Sequence, residues 1–141
     1  MSVLYDLAIS LLWLPYIYGG KNPLVGLDCS GLVTILLKSA GIAPPVQTNA
    51  QGLYDFYYSN SANNVYQIGA LAFFGESVTK ISHVGWLLNP SQMIEAGHGT
   101  SEIDTLEEAI QRGSYVRISL VNQRKDLVAV LRPSYAKIGV P

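Results

Sequence analysis

The chain has 141 residues, 49% of them hydrophobic and 13% charged, which suits one globular domain with a real core and excludes a disordered chain. Nine basic against ten acidic residues leave a formal charge of −1 with no basic run, so nucleic acid is excluded as the main partner. A single cysteine excludes any disulfide within the chain.

Ser2 is placed to cap a first helix reaching about Trp13, with Leu4, Ala8, Leu11 and Leu12 at helical spacing. The apolar run from Leu7 to Tyr18 is too short to span a membrane and is interrupted by Pro15. It has Asp6 in place of a basic flank and no small-residue cleavage site, so it reads as a core helix with no export signal. Tyr16-Ile17-Tyr18-Gly19-Gly20 then forms a loop whose glycines allow close backbone approach. Asp28 is a good N-cap, which puts Cys29 at the first position of a helix continuing from Ser30 to about Ala40. A thiol there feels the positive end of the helix dipole, which favours thiolate. Leu32, Val33, Ile35, Leu36 and Leu37 cover more than one side of that helix, so it is expected to be the buried pillar of the domain. Lys38, Gly41 and Pro44-Pro45 end it.

A second short helix is expected within residues 47–58, burying Leu53, Phe56 and Tyr57, and residues 59–64 read as a polar loop. The period then changes to that of strands: 70–74, 81–88, 92–96, 115–121 and 127–132. Thr105-Leu106-Glu107-Glu108 is a capping box for a short helix that stops at Gly113. Helices first and strands later give an α+β domain, with an antiparallel sheet packed on the pillar helix.

A thiol nucleophile needs a base, and the base needs a group to orient it. The candidates for base are His83 and His98. Asn89-Pro90-Ser91 is turn-like, so 81–88 and 92–96 are expected to form a hairpin. With the turn centred on Asn89, His83 and Glu95 each stand six residues from it and face each other directly. Their Cβ atoms would then be roughly 4.5–5.5 Å apart. His98 has the wrong parity and lies past Gly97, so it and Glu102 read as surface residues near the mouth of the site. Each of these residues has a plainer explanation. A lone cysteine is commonly a small buried hydrophobe, a strand histidine a hydrogen-bonded structural residue, and Glu95 a solvent-facing carboxylate. The co-occurrence of thiol, imidazole and carboxylate on compatible elements favours a site.

These residues resemble the signature of the NlpC-type cell-wall peptidases, papain-like cysteine hydrolases of bacteria and their phages. The resemblance rests on Pro15-Tyr-Ile-Tyr-Gly-Gly20, Gly26-Leu-Asp-Cys-Ser-Gly-Leu-Val33, Gly69-Ala-Leu-Ala-Phe-Phe74 and Ser82-His-Val-Gly85, and runs from about Leu7 to Arg132. It implies a papain-like fold, Cys29 as nucleophile, His83 as base and Glu95 at the third position. It also implies Tyr16 beside the nucleophile, with the Cys29 amide completing an oxyanion site. Asp28 and Ser30 match positions that in some members hold the free amine of a peptide substrate. Two departures stand out. Gly69-Ala70-Leu71 lacks the acid common in the family, and Pro45-Val46-Gln47 lacks an arginine.

The expectation is one domain over residues 1–141, a cysteine peptidase acting on peptidoglycan stem peptides or muropeptides at γ-D-glutamyl–diaminopimelate bonds. No metal, cofactor or attached wall-binding module is implied. The alternatives are an amidase or acyltransferase on the same triad, or an inactive structural or binding module such as one in a phage tail. A wall substrate without an export signal implies a phage-borne enzyme, an excised domain or a muropeptide-recycling enzyme.

Overall fold

The computed structural model describes residues 1–97 and 105–135. His98 and Glu102 lie outside the described residues. The elements run α1 (Ser2–Ser10), β1 (Lys21–Asn22), β2 (Gly26–Leu27), α2 (Cys29–Ser39), α3 (Ala50–Tyr57), β3 (Ala62–Asn63), β4 (Leu71–Gly75), β5 (Ile81–Leu87), β6 (Gln92–Ala96), α4 (Leu106–Arg112), β7 (Val116–Leu120), a 3-10 turn (Val121–Gln123) and β8 (Leu127–Arg132). Among the described residues, no helix is long and apolar enough to cross a membrane.

The architecture is α+β. A six-stranded antiparallel sheet in the order β3-β8-β4-β5-β6-β7 carries α2 on one face, and β1 and β2 form a separate small hairpin. Leu32, Leu36 and Leu37 of α2 are fully buried in a core shared with Leu71, Phe73, Val84, Trp86 and Ile94 of the sheet. Burying a side chain of this size stabilises by about 1.5–3 kcal/mol, which is what holds α2 on the sheet. The opposite strand parity feeds a smaller cluster of Ala70, Ala72, Phe74, Leu87, Met93, Val121 and Val130.

Local capping chemistry explains the helix ends. Asp28 Oδ1 accepts the Gly31 amide at 2.6 Å at the start of α2, and Asn49 Oδ1 accepts the Gly52 amide at 2.9 Å at the start of α3. Thr105 accepts from the Glu108 amide, and Gly113 ends α4 in the left-handed conformation with φ of 62°.

Several expectations need correction. Ser2 is not a cap: α1 begins with Met1 at the N-cap position and no side-chain cap, and it ends at Ser10, before a left-handed Trp13 at φ 74°. Phe56 is 40% exposed, and Tyr54 packs on the core in its place with its ring edge-on to Phe73. The reason is that α3 starts at Ala50, so Ala50, Leu53, Tyr54 and Tyr57 share the inward stripe. The polar stretch 59–64 contains β3, an edge strand paired with β8.

The β5–β6 hairpin is also shifted. Trp86 pairs with Ile94 and Leu87 with Met93, which centres the turn on Pro90 instead of Asn89. Continued along the strands, this register sets Glu95 across from Gly85, and His83 becomes its diagonal neighbour on the same face. A diagonal pair starts about 7–8 Å apart, which a glutamate side chain can bridge. Gly85 leaves room for the Met93 side chain, since a Cβ there would meet Met93 Sδ at 2.5 Å and oblige that side chain to shift.

Candidate active site

Cys29 is half-buried at the N-terminal end of α2. Its amide belongs to the first helical turn, whose N–H groups have no acceptor within the helix. The segment leading to it is stitched in by backbone bonds. Tyr16 N–H donates to Ser114 O at 2.9 Å, Leu27 N–H to Pro15 O at 3.0 Å, and Asp28 N–H to Gly20 O at 3.0 Å. Gly31 permits this approach: a Cβ at that position would sit 2.1 Å from Gly20 O. Tyr16 is thereby held buried beside Cys29. Burial first, and then the charges of Cys29 and Asp28 and the neighbouring Tyr18, push its phenol above the ordinary value. It therefore stays protonated and able to donate.

His83 lies between Cys29 and Glu95. Its Nε2 is 2.6 Å from Glu95 Oε1, in a buried pair. A carboxylate only accepts, so Nε2 carries the hydrogen and Nδ1 is left for the thiol. Burial disfavours the charged ring, but hydrogen bonding and charge from Cys29 and Glu95 outweigh it, and the His83 pKa rises from 6.5 to about 9. The Phe74 ring covers the imidazole, with centroids 5.6 Å apart.

Glu95 is only 1% exposed, and its second oxygen is also fully engaged. Oε2 accepts from Arg117 Nε at 3.2 Å and from the Ser119 hydroxyl, and pairs ionically with Arg117 Nη2 at 3.1 Å. Burial opposes the charge, yet His83, Ser119 and Arg117 lower its pKa from 4.5 to about 2. Sequence reasoning missed Arg117 and Ser119. The sequence signal was limited to their alternation, which puts both on one face of β7; the pairing of β6 with β7 then sets Arg117 directly opposite Glu95.

A cleft of about 560 Å³ opens beside Cys29, walled by Tyr16, Asp28, Ser30, Gln47, Ser82 and a residue the sequence did not single out, Lys21. Lys21 Nζ donates to Asp28 Oδ1 at 2.9 Å, to Asp28 Oδ2 at 3.1 Å and to Ser30 Oγ at 2.8 Å. The oxygens matched to an incoming amine are thus already in contact with the chain's own ammonium.

A thiol at a helix start, an imidazole on a sheet and a buried carboxylate behind it form the constellation needed for nucleophilic acyl transfer. The family model described as NlpC/P60 matches residues 14–120, which include all of these side chains. This chain belongs to the NlpC/P60 family. The bifunctional muramidase/DL-endopeptidase CwlT of Bacillus subtilis is 31% identical over 104 residues, spanning 72% of this chain and 31% of that protein. Among solved structures, an NlpC/P60 family protein of Bacillus cereus superposes with a TM-score of 0.68 at 21% identity, over 94% of this chain and 39% of that one. The NlpC/P60 domain of the peptidoglycan hydrolase SagA gives 0.65 at 22% identity, over 92% of this chain and 96% of that domain. This chain thus spans about a third of the length of the curated NlpC/P60 relative it matches. The NlpC/P60 domain has the papain-like α+β fold described above.

Proposed function

We propose that this chain is a cysteine endopeptidase that hydrolyses peptidoglycan stem peptides, at bonds of the γ-D-glutamyl–diaminopimelate type, through Cys29, His83 and Glu95. The observation carrying the reading is the imidazole held between the Cys29 thiol and a buried carboxylate 2.6 Å from Nε2. Family membership and a relative named for DL-endopeptidase activity support the substrate class.

In this mechanism the Cys29 sulfur, its proton passed to His83, attacks the scissile carbonyl. The Cys29 amide and the Tyr16 hydroxyl donate to the oxyanion that develops. Collapse of the tetrahedral intermediate breaks the C–N bond, and the imidazolium of His83 gives its proton to the leaving amine. A water then gives a proton to His83 and attacks the thioester, returning the thiol and releasing the new carboxylic acid. Glu95 keeps Nε2 protonated and stabilises the imidazolium throughout.

The test is to incubate purified cell wall with the protein and with Cys29→Ser, and to analyse the fragments by mass spectrometry. New peptide termini produced only by the wild type are the expected result. Transfer of an acyl group to an added amine would point to an acyltransferase on the same residues. Intact wall would leave a binding module.

A further inference from the structure

The contacts of Lys21 form a closed set. An ammonium has three hydrogens, and here they go to Asp28 Oδ1, Asp28 Oδ2 and Ser30 Oγ. A carboxylate offers about four lone-pair positions. Asp28 takes the two bonds from Lys21, one from the Ser30 hydroxyl at 3.2 Å and one from the Gly31 amide at 2.6 Å. All three donors of Lys21 are used, and three of the four contacts fall on Asp28 Oδ1, so the acceptor position left on Asp28 is on Oδ2, the oxygen that Lys21 already contacts at 3.1 Å. The arrangement is partly shielded, with the Asp28 side chain 15% and the Lys21 side chain 32% exposed. Apart from the Cys29 sulfur it is the charge of the cleft among the described residues, because the other side chains lining it are uncharged, such as Tyr16, Gln47, Thr48, Asn49 and Ser82.

We infer that Lys21 is a specificity residue of this cleft, selecting peptides whose N-terminal nitrogen is acylated over peptides with a free terminal ammonium. The inference takes the hydrolase reading above as its basis. An incoming ammonium would have to displace, or sit directly against, one that is tethered to the chain and so present at an effective concentration in the millimolar range or above. The displaced Lys21 would remain nearby as an uncompensated like charge. A neutral acyl-amide meets no such opposition and finds hydroxyl and carboxamide groups along the wall. For a stem peptide, the acylated form is the one still joined to the glycan by an amide, so the expected substrate is wall-attached peptide.

The experiment compares a stem peptide with a free N-terminal L-Ala and its N-acetyl copy, on wild type, Lys21→Met and Lys21→Arg. Circular dichroism checks the fold of each. The wild type is expected to cut the acetylated peptide at least as fast as the free one at pH 6.5. Lys21→Met keeps the stem and removes the ammonium, so the free-to-acetylated ratio of kcat/KM rises about tenfold or more. That gain fades at pH 9, because a peptide α-amine titrates near 7.7–8.0. Lys21→Arg retains the wild-type ratio. A wild-type preference for the free amine of tenfold or more, or a ratio unmoved by Lys21→Met, overturns the inference. Cleavage of neither peptide by any form refutes the hydrolase reading instead. The Lys21 inference is then decided by titrating both peptides into Cys29→Ala with and without Lys21→Met, where the same tenfold change is read as a ratio of Kd.

Discussion

Replacing Glu95 by Gln keeps the shape of the side chain and removes its charge, which isolates what the carboxylate does for His83. A rise in the His83 pKa from 6.5 to about 9 corresponds to about 3 kcal/mol in favour of the imidazolium, net of the burial that opposes it. Cys29 and Glu95 share that stabilisation. Without the charge of Glu95, burial is opposed by Cys29 alone, and a carboxamide can also present its N–H to the ring and favour the wrong tautomer. Losing the Glu95 share of this stabilisation together with the correct tautomer lowers kcat on the order of 10²-fold, in the range found for positioned acid–base groups. The pH profile separates this from a general loss of activity. The imidazolium proton goes to the leaving amine, so the alkaline limb of kcat/KM reports its loss, near pH 9 in the wild type. In Glu95→Gln that limb moves down by a pH unit or more. The assay is kcat/KM on a soluble stem peptide from pH 5 to pH 10, with His98→Ala as a control expected to lose less than about tenfold. A Glu95→Gln enzyme within threefold of wild type, with its alkaline limb unmoved, refutes the role given to the carboxylate. An inactive His98→Ala beside it would transfer that role to His98.

The same ion pair makes stability depend on pH. The raised His83 pKa contributes stability that is complete below 6.5 and lost as pH rises through about 9, and the lowered Glu95 pKa contributes stability that is complete above 4.5 and lost as pH falls through about 2. The His83–Glu95 pair contributes to both shifts, so urea midpoints should peak between about pH 4.5 and 6.5, and part of that wild-type excess should be absent in Glu95→Gln; equal pH dependence in the two proteins would refute the pairing. Tyr16→Phe removes one oxyanion donor and no buried hydrocarbon, so it should lower kcat at least tenfold with KM and melting temperature little changed. Activity within twofold of wild type would take the hydroxyl out of the reaction.

Much of the fold was legible because helix ends and periodicity are local. Asp28 stands three residues before the Gly31 amide that it caps, so the position of Cys29 at the start of α2 follows from a short stretch of chain. Glu95 was legible for a more robust reason than the register that suggested it. The hairpin register is displaced from the one expected, but side chains alternate with a period of two, so Glu95 remains on the face of His83 and reaches it diagonally.

What only the tertiary structure decided are contacts whose partners are separated in sequence or chosen by packing. Arg117 and Ser119 stand more than twenty positions from Glu95, and nothing before β7 pairs with β6 says which of its faces meets the carboxylate. Lys21 belongs to a hairpin too short to announce itself by periodicity, and pairing of β1 with β2 is what carries its ammonium onto Asp28 and Ser30. The sequence alone determined which groups could do chemistry and on which elements they ride, since those are matters of residue type and local geometry. Their electrostatic setting was decided by the fold, because charge interacts through space and the distances exist only once the strands are paired and α2 is buried against them.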